Sequence, residues 1–199
     1  MTPPRPRQVF HFCLCCDRYC EGGELFHFIL QKKHLTEREA AHIMRQLLSA
    51  LVYLHSQNIS HRDIKPENFM LARKNDATCV KMIDFGLSKD FTGQETMKTM
   101  SGSPYYIAPE VFLQNYNSKI DIWSLGVVLY IMLSGKVPFP GNSELEIIGN
   151  VIKGDFHFNH EPFSRHSPQA KEFLQCMIKK DVNLRFTAEQ AFNHPWIQD

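Results

Sequence analysis

His61-Arg62-Asp63-Ile64-Lys65-Pro66-Glu67-Asn68 crowds acid, base and amide side chains into one short polar segment, and its flanks decide its setting. Two short apolar groups, Asn68-Phe69-Met70-Leu71 and Val80-Lys81-Met82-Ile83, stand on either side of a polar turn at residues 73–78, the pattern of a small β-hairpin. The polar octet therefore sits on a loop entering a rigid hairpin, and Asp84 sits on the loop leaving it. Functional groups concentrate on loops held by a fixed scaffold.

Before this region the pattern is helical. Thr36 with Glu39 forms a capping box, and Ile43, Met44, Leu47, Leu48, Leu51 and Leu54 recur behind it at spacings of three and four, so residues 36–56 are expected to form a long amphipathic helix. A shorter helix is expected over 24–33, and Gly22-Gly23 marks a turn that ends a strand over 9–19. The Pro-rich opening at residues 2–7 reads as a frayed terminus.

After the hairpin, residues 90–103 are polar and without periodicity, which predicts a mobile surface segment. The chain is expected to be helical again after Pro109. Residues 121–134 are apolar on every side, the mark of the central helix of a helical core. Further helices are expected over 143–153, behind Ser167-Pro168, and behind Thr187 with Gln190. The sum is one mainly α domain with a small β element.

Composition narrows the function classes. With 199 residues, 43% of them hydrophobic, the chain can bury a sizeable core. A net charge of +1 with no one-signed stretch gives no footprint of a nucleic-acid or anionic-membrane binder. The longest apolar run, residues 122–133, is broken by Ser124 and Gly126 and falls short of the roughly 18 residues that span a bilayer. Arg5 and Arg7 before the apolar patch at 9–16 faintly imitate a signal peptide, but no small-residue cleavage site follows. Four of the six cysteines, Cys13, Cys15, Cys16 and Cys20, cluster near His11, yet no second ligand pair completes a zinc site. Reduced thiols throughout suit a cytoplasmic compartment, or a nuclear one.

Asp84-Phe85-Gly86 lies sixteen residues after Asn68, and Ala108-Pro109-Glu110 follows it. With Asp121-Ile122-Trp123-Ser124-Leu125-Gly126 and a late Arg185, the motifs stand in the order found in eukaryotic protein kinases, and the chain resembles that family from about residue 12 to about residue 197. The resemblance implies transfer of the ATP γ-phosphate to Ser/Thr hydroxyls of proteins, with ATP and Mg²⁺ as cofactors. Phosphoryl transfer needs a carboxylate beside the attacking hydroxyl, oxygens that hold magnesium, and a cation that follows the transferring group. By resemblance Asp63 would accept the hydroxyl proton, Lys65 would steady the γ-phosphate, and Asn68 with Asp84 would bind Mg²⁺.

Other positions follow from the same resemblance. Ser103, which the family places against the catalytic Asp and Lys, marks Ser/Thr rather than Tyr specificity, and Lys65 agrees. Arg62 would receive a phosphate on the loop before Ala108, with Thr99 at the matched position, Thr96 and Ser101 as neighbours, and an upstream kinase as partner. An ordinary solvated hydroxyl remains the other reading of that loop. Glu110 with Arg185 would form a buried ion pair that fastens the substrate loop, and Asp121 would be structural. For Asp63 alone, a turn or cap role is the ordinary reading; that reading would also have to set Lys65, Asn68 and Asp84 at kinase spacing by chance.

Cys20-Glu21-Gly22-Gly23-Glu24-Leu25-Phe26 resembles the hinge of calcium/calmodulin-type and calcium-dependent protein kinases. Tyr19 and Cys20 would face the adenine, with Met70 beside the nucleotide, and Glu24 would reach the ribose. Glu24 with Glu67 would also hold a basic residue near the target Ser or Thr, since carboxylates recognise Arg by paired hydrogen bonds. For Glu24 an exposed helix-start carboxylate is the bland alternative. Leu87-Ser88, Tyr105-Tyr106-Ile107, Leu133-Ser134-Gly135, Pro138-Phe139 and His194-Pro195-Trp196-Ile197 strengthen the likeness to the calcium-dependent group. No window offers the oxygen ligands of an EF-hand.

A complete kinase carries, ahead of the hinge, a small lobe with a Gly-rich loop, a strand Lys and a helix Glu. None of these is in the sequence, so the expected organisation is a disordered stub over 1–8, a last small-lobe strand and hinge over 9–23, and a large lobe over 24–199. Two readings follow: a truncated kinase domain that needs a small lobe for activity, or a non-catalytic kinase-like scaffold that binds partners.

Overall fold

A computed structural model describes residues 20–91, 104–159 and 161–198. The stub and the strand expected over 9–19 lie outside the described residues. So does most of the segment predicted to be mobile.

In the described residues two α-helices precede four short strands, and five further α-helices follow them. Helix α1 (Leu25–Lys32) is followed by α2 (Glu37–Ser56), which starts at the predicted capping box: the Thr36 hydroxyl accepts from the Glu39 N–H at 3.3 Å while Glu39 reaches back to the Thr36 N–H at 3.0 Å. Ile43, Met44, Leu47, Leu48, Leu51 and Leu54 form its buried face, as the spacing predicts.

The hairpin forms from β2 (Phe69–Arg73) and β3 (Asp76–Met82), antiparallel, with Phe69 opposite Met82 and Arg73 opposite Asp76. Its turn is only Lys74-Asn75, shorter than the expected 73–78. Asn75 adopts φ 56°, which asparagine tolerates better than most residues, and the Asp76 carboxylate accepts the Thr78 N–H at 2.8 Å, so the polar residues fold into the strand instead of looping out. Gln46 of α2 fastens the hairpin to the helical body: its Oε1 accepts from Val80 N–H at 2.9 Å and its Nε2 donates to Ala77 O at 3.0 Å.

A second correction concerns the segment after the hairpin. Lys89–Asp90 is a strand, β4, paired antiparallel with β1 (Ile59–Ser60), so the start of the predicted mobile segment is tied by backbone hydrogen bonds to the loop ahead of Asp63. Nor does a helix follow Pro109 directly. A single 3₁₀ turn, Pro109–Val111, is followed by a further turn that reaches Gln114 at φ 53°, and α3 (Lys119–Ser134) begins later, its first N–H accepted by Asn117 Oδ1.

Helix α3 is buried nearly all round and forms the axis of the core. Trp123 stacks on Phe139 at 5.6 Å, and the Arg185 guanidinium lies over the Trp123 ring at 5.0 Å from its centroid. Helices α4 (Glu144–Lys153), α5 (Pro168–Met177), α6 (Ala188–Phe192) and α7 (Pro195–Gln198) surround it. Ser143, Ser167 and Thr187 cap the first three of these, as the sequence predicts. The core is thus helix on helix, with the hairpin on its flank.

Candidate functional site

Asp121, in the first turn of α3, is the anchor of the loop that carries Asp63. Its Oδ2 accepts from the His61 N–H, the Ser60 hydroxyl and His55 Nε2, each at 2.9 Å, and its Oδ1 accepts from the Arg62 N–H at 2.9 Å. Burial works to raise the Asp121 pKa, but these hydrogen bonds and the neighbouring His55 hold it below the ordinary carboxylate value. They also hold Arg62 at φ 69°, a left-handed conformation uncommon for a side-chain-bearing residue, which turns the chain so that Asp63 follows inward.

His61 is fully buried and ties this loop to the residues after the hairpin. Its Nδ1 accepts the Asp63 N–H at 3.3 Å and its Nε2 bonds Ile83 O at 3.2 Å, so the tautomer with hydrogen on Nε2 satisfies both contacts. The ring also lies against Phe85, with centroids 5.0 Å apart. The Ile83 N–H donates to Asn68 O at 2.9 Å, which brings the end of the hairpin beside its start. Asp84 follows at φ 62°, its Oδ1 accepting from the Gly86 N–H at 3.1 Å.

Three predicted residues meet directly. Lys65 Nζ donates to Asp63 Oδ2 at 2.7 Å, and Asn68 Nδ2 donates to the same oxygen at 2.9 Å and to Asp63 O at 2.8 Å. Because the amide NH₂ turns inward, Asn68 Oδ1 is left without a hydrogen bond among the described residues. Asp63 and Asn68 are buried, whereas Asp84, Phe85 and Gly86 are exposed. No group of three or more His, Cys, Asp or Glu side chains fit to hold a metal occurs among the described residues.

The hinge-like residues are brought against β2. Gly22 N–H donates to Leu71 O at 3.1 Å, Leu71 N–H donates to Gly23 O at 2.9 Å, and Glu24 bridges Met70. A side chain at Gly22 would meet Arg73 O at 2.3 Å and Leu71 Cβ at 2.5 Å, so this approach requires glycine. Cys20 and Met70 are half-buried. The Glu24 carboxylate is exposed beside the His27 ring, at 3.4 Å, and its side chain makes no cap bond to α1.

Glu67 leaves one carboxylate oxygen, Oε2, buried and without a hydrogen-bond partner. Its charge is felt by Tyr106, whose phenol is pushed up first by burial and then by Glu67. On the far side, Arg185 donates from both terminal nitrogens to Glu110, at 2.5 and 2.9 Å, as a buried bidentate pair. Tyr19, Thr99 and Ser103, and the loop toward which Arg62 was expected to reach, lie outside the described residues.

Sequence reading singled out Asp121 but not its partners His55 and Ser60, nor Gln46 on the hairpin. The available signal was a lone carboxylate opening an otherwise apolar helix, which has to be satisfied by something when buried.

Residues 8–197 match the family model described as the protein kinase domain. The chain belongs to the protein kinase family. Over 180 residues it is 44% identical to calcium-dependent protein kinase 3 of Oryza sativa subsp. japonica, a match covering 90% of this chain and 33% of that protein. Calcium-dependent protein kinase 25 of Arabidopsis thaliana is 42% identical over 180 residues, covering 90% of this chain and 35% of that protein. Within the protein kinases the chain thus resembles the calcium-dependent group, and it spans about a third of the length of these curated relatives.

Proposed function

We propose that this chain is the larger, helical lobe of a protein serine/threonine kinase, transferring the ATP γ-phosphate to Ser or Thr hydroxyls when a small lobe covers the nucleotide. The observation that carries the reading is the convergence of Lys65 and Asn68 on one oxygen of Asp63. It leaves Asp63 Oδ1 available to accept a hydroxyl proton, beside a cation that can follow the transferring group.

The donor set suits magnesium. Asn68 Oδ1 and the second oxygen of Asp84 are hard ligands, and Mg²⁺ is ordinarily held by one or two protein oxygens together with substrate phosphates, so a cluster of three carboxylates is not required. Bound Mg²⁺ would offset phosphate charge. Cys20 and Met70, with Tyr19, would border the adenine, and Glu24 the ribose.

Ile83, Phe85 and Leu87 support the division into lobes over residues 9–23 and 24–199: they are 38%, 36% and 42% exposed around Asp84, an apolar rim that a small lobe would bury. The orphaned Oε2 of Glu67 supports a basophilic preference, because an Arg of the substrate would supply the missing donors. In this reading Ser103 marks Ser/Thr specificity, and Thr99 is the site that an upstream kinase phosphorylates, with Arg62 as the cation that would receive the phosphate. Cys79 and Cys176 form no disulfide with any described residue, and reduced thiols suit the cytoplasm or nucleus.

The test is peptide phosphorylation with magnesium-ATP by the chain fused to the small lobe of the rice relative, with and without Asp63→Asn. Transfer reduced by about two to four orders of magnitude in the variant supports the reading. A fused chain that folds but transfers nothing, or transfers equally with Asn at 63, overturns it.

A further inference from the structure

The end of α3, the start of α2 and the start of α5 meet at the His166 ring, whose side chain is only 9% exposed. Its Nδ1 is 3.3 Å from Glu37 Oε1 in the first turn of α2, and its Nε2 is 3.1 Å from Leu133 O in the last turn of α3. A helix gives its last carbonyls no amide donor, and partial negative charge collects there. Phe163, in the 3₁₀ turn just ahead, lies against the ring with centroids 5.5 Å apart.

Both partners of the ring are acceptors. Glu37 takes the Ser167 N–H and hydroxyl, each at 2.7 Å, and Trp196 Nε1 at 3.0 Å, and while ionised it has no hydrogen to give. Burial works to raise the Glu37 pKa, but the bonds from Trp196 and Ser167 and the charge of His166 hold it below the ordinary carboxylate value. A backbone carbonyl likewise only accepts. Neutral imidazole donates from one nitrogen, so the two contacts together require hydrogen on both, an imidazolium. The other charged groups on the surrounding elements form no bond to the ring. Lys33, His34 and Arg38 around the start of α2 and Lys136 after α3 are exposed, and Lys171 on α5 is half-buried. Arg165 pairs instead with Glu161 at 3.3 Å, and His194, ahead of α7, with Glu172 at 2.7 Å.

We propose that His166 is a pH-sensitive latch: with both nitrogens protonated it ties the end of α3 to the start of α2 and, through Glu37, to Ser167 and Trp196, and loss of one proton opens the tie to Glu37. Hydrogen kept on Nε2 still satisfies the Leu133 carbonyl, which would otherwise be stranded, so the proton leaves Nδ1. The Nδ1 lone pair then faces Glu37 Oε1, and attraction becomes repulsion. Glu37 keeps its Ser167 and Trp196 donors and stays ionised. The folded form needs the proton, so the latch strengthens the fold in acid, and its contribution is lost as pH rises through the range in which histidine discharges, about pH 5 to 8. That sign is opposite to the one for a depressed carboxylate such as Glu37, and the latch is independent of the transfer reaction.

The test follows the His166 ring nitrogens of the isotope-labelled full chain by NMR, assigned through its own backbone, together with urea midpoints over the same pH range. Both nitrogens are expected to carry hydrogen at about pH 6, and Nδ1 to lose it by about pH 8. Over that interval the folding equilibrium constant of the parent should fall by up to about tenfold per pH unit, while that of His166→Gln, which cannot titrate, stays flatter. A ring that is neutral at about pH 6, or still doubly protonated above about pH 8, overturns the proposal whether or not the variant folds. So does a folded His166→Gln whose profile runs parallel to the parent's.

Discussion

Asn68 clasps Asp63 twice, its single side-chain amide donating to the carboxylate at 2.9 Å and to the backbone carbonyl of the same residue at 2.8 Å. The clasp fixes the carboxylate's rotation as well as its place. Lys65 alone, a flexible cation on one oxygen, would leave that rotation free.

Asn68→Ala should therefore act on both rate and stability. The buried Asp63 carbonyl loses its donor, a penalty of about 1–3 kcal/mol, and a carboxylate displaced by about 1 Å can lower transfer by about 100-fold. Urea unfolding and initial rates of the chain joined to a small lobe would check the two effects. An unchanged rate in the folded variant would show that Asp63 is positioned without the clasp.

Arg185 and Glu110 should be unequal to their parts. Arg185→Met leaves Glu110 buried and uncompensated, and also removes the donors to Lys179 O and Lys119 O, so a loss of about 3–5 kcal/mol is expected. Arg185→Met with Glu110→Leu should recover most of it, because the stranded charge goes too. Chemical denaturation of the two variants would decide; a double variant as weak as the single one would mean that the carbonyl contacts, not the ion pair, dominate.

Gly126 sets helix propensity against packing. Alanine is better than glycine inside a helix by about 1 kcal/mol, but its methyl here would lie 2.8 Å from Ile178 Cγ1 and 3.0 Å from Met177 Cβ. Overpacking of this kind costs about 1–3 kcal/mol. Packing wins, and Gly126→Ala should lose about 1 kcal/mol by urea melt, whereas an equal gain would mean that α3 and α5 separate freely.

How far the sequence carried these conclusions depends on range. Capping boxes at Thr36 and Thr187, the buried stripe of α2 and the all-round burial of α3 are local patterns, and the structure has them where the residues put them. The hairpin turn was read too long because the polar run 73–78 looks alike whether it loops or pairs; Asn75 at positive φ decides it. The pairing of Ile59–Ser60 with Lys89–Asp90 joins short segments about thirty residues apart, and nothing in either announces the other. At the site, the meeting of Asp63, Lys65 and Asn68 could be expected because they share one loop. The bonds from His55 and Ser60 to Asp121 were not, since they cross from α2 and β1 to α3.

Acid should loosen the fold, and Glu39 makes part of that loss traceable. A hydrogen bond from Lys32, then bonds from Thr36, hold its pKa at about 2 against an ordinary 4.5. A carboxylate depressed in the folded state favours folding fully above its unfolded value, and that contribution disappears as pH falls from about 4.5 through about 2, where the folded form protonates as well. Asp121 and Glu37, also depressed, act in the same direction. The urea midpoint should thus fall between about pH 5 and about pH 2, and Glu39→Gln, which cannot titrate, should flatten part of that fall. Because Glu39 is partly exposed, the flattening should shrink as salt is raised. A variant whose pH profile runs parallel to the parent's throughout would assign the acid response to the other depressed carboxylates, Asp121 and Glu37, instead.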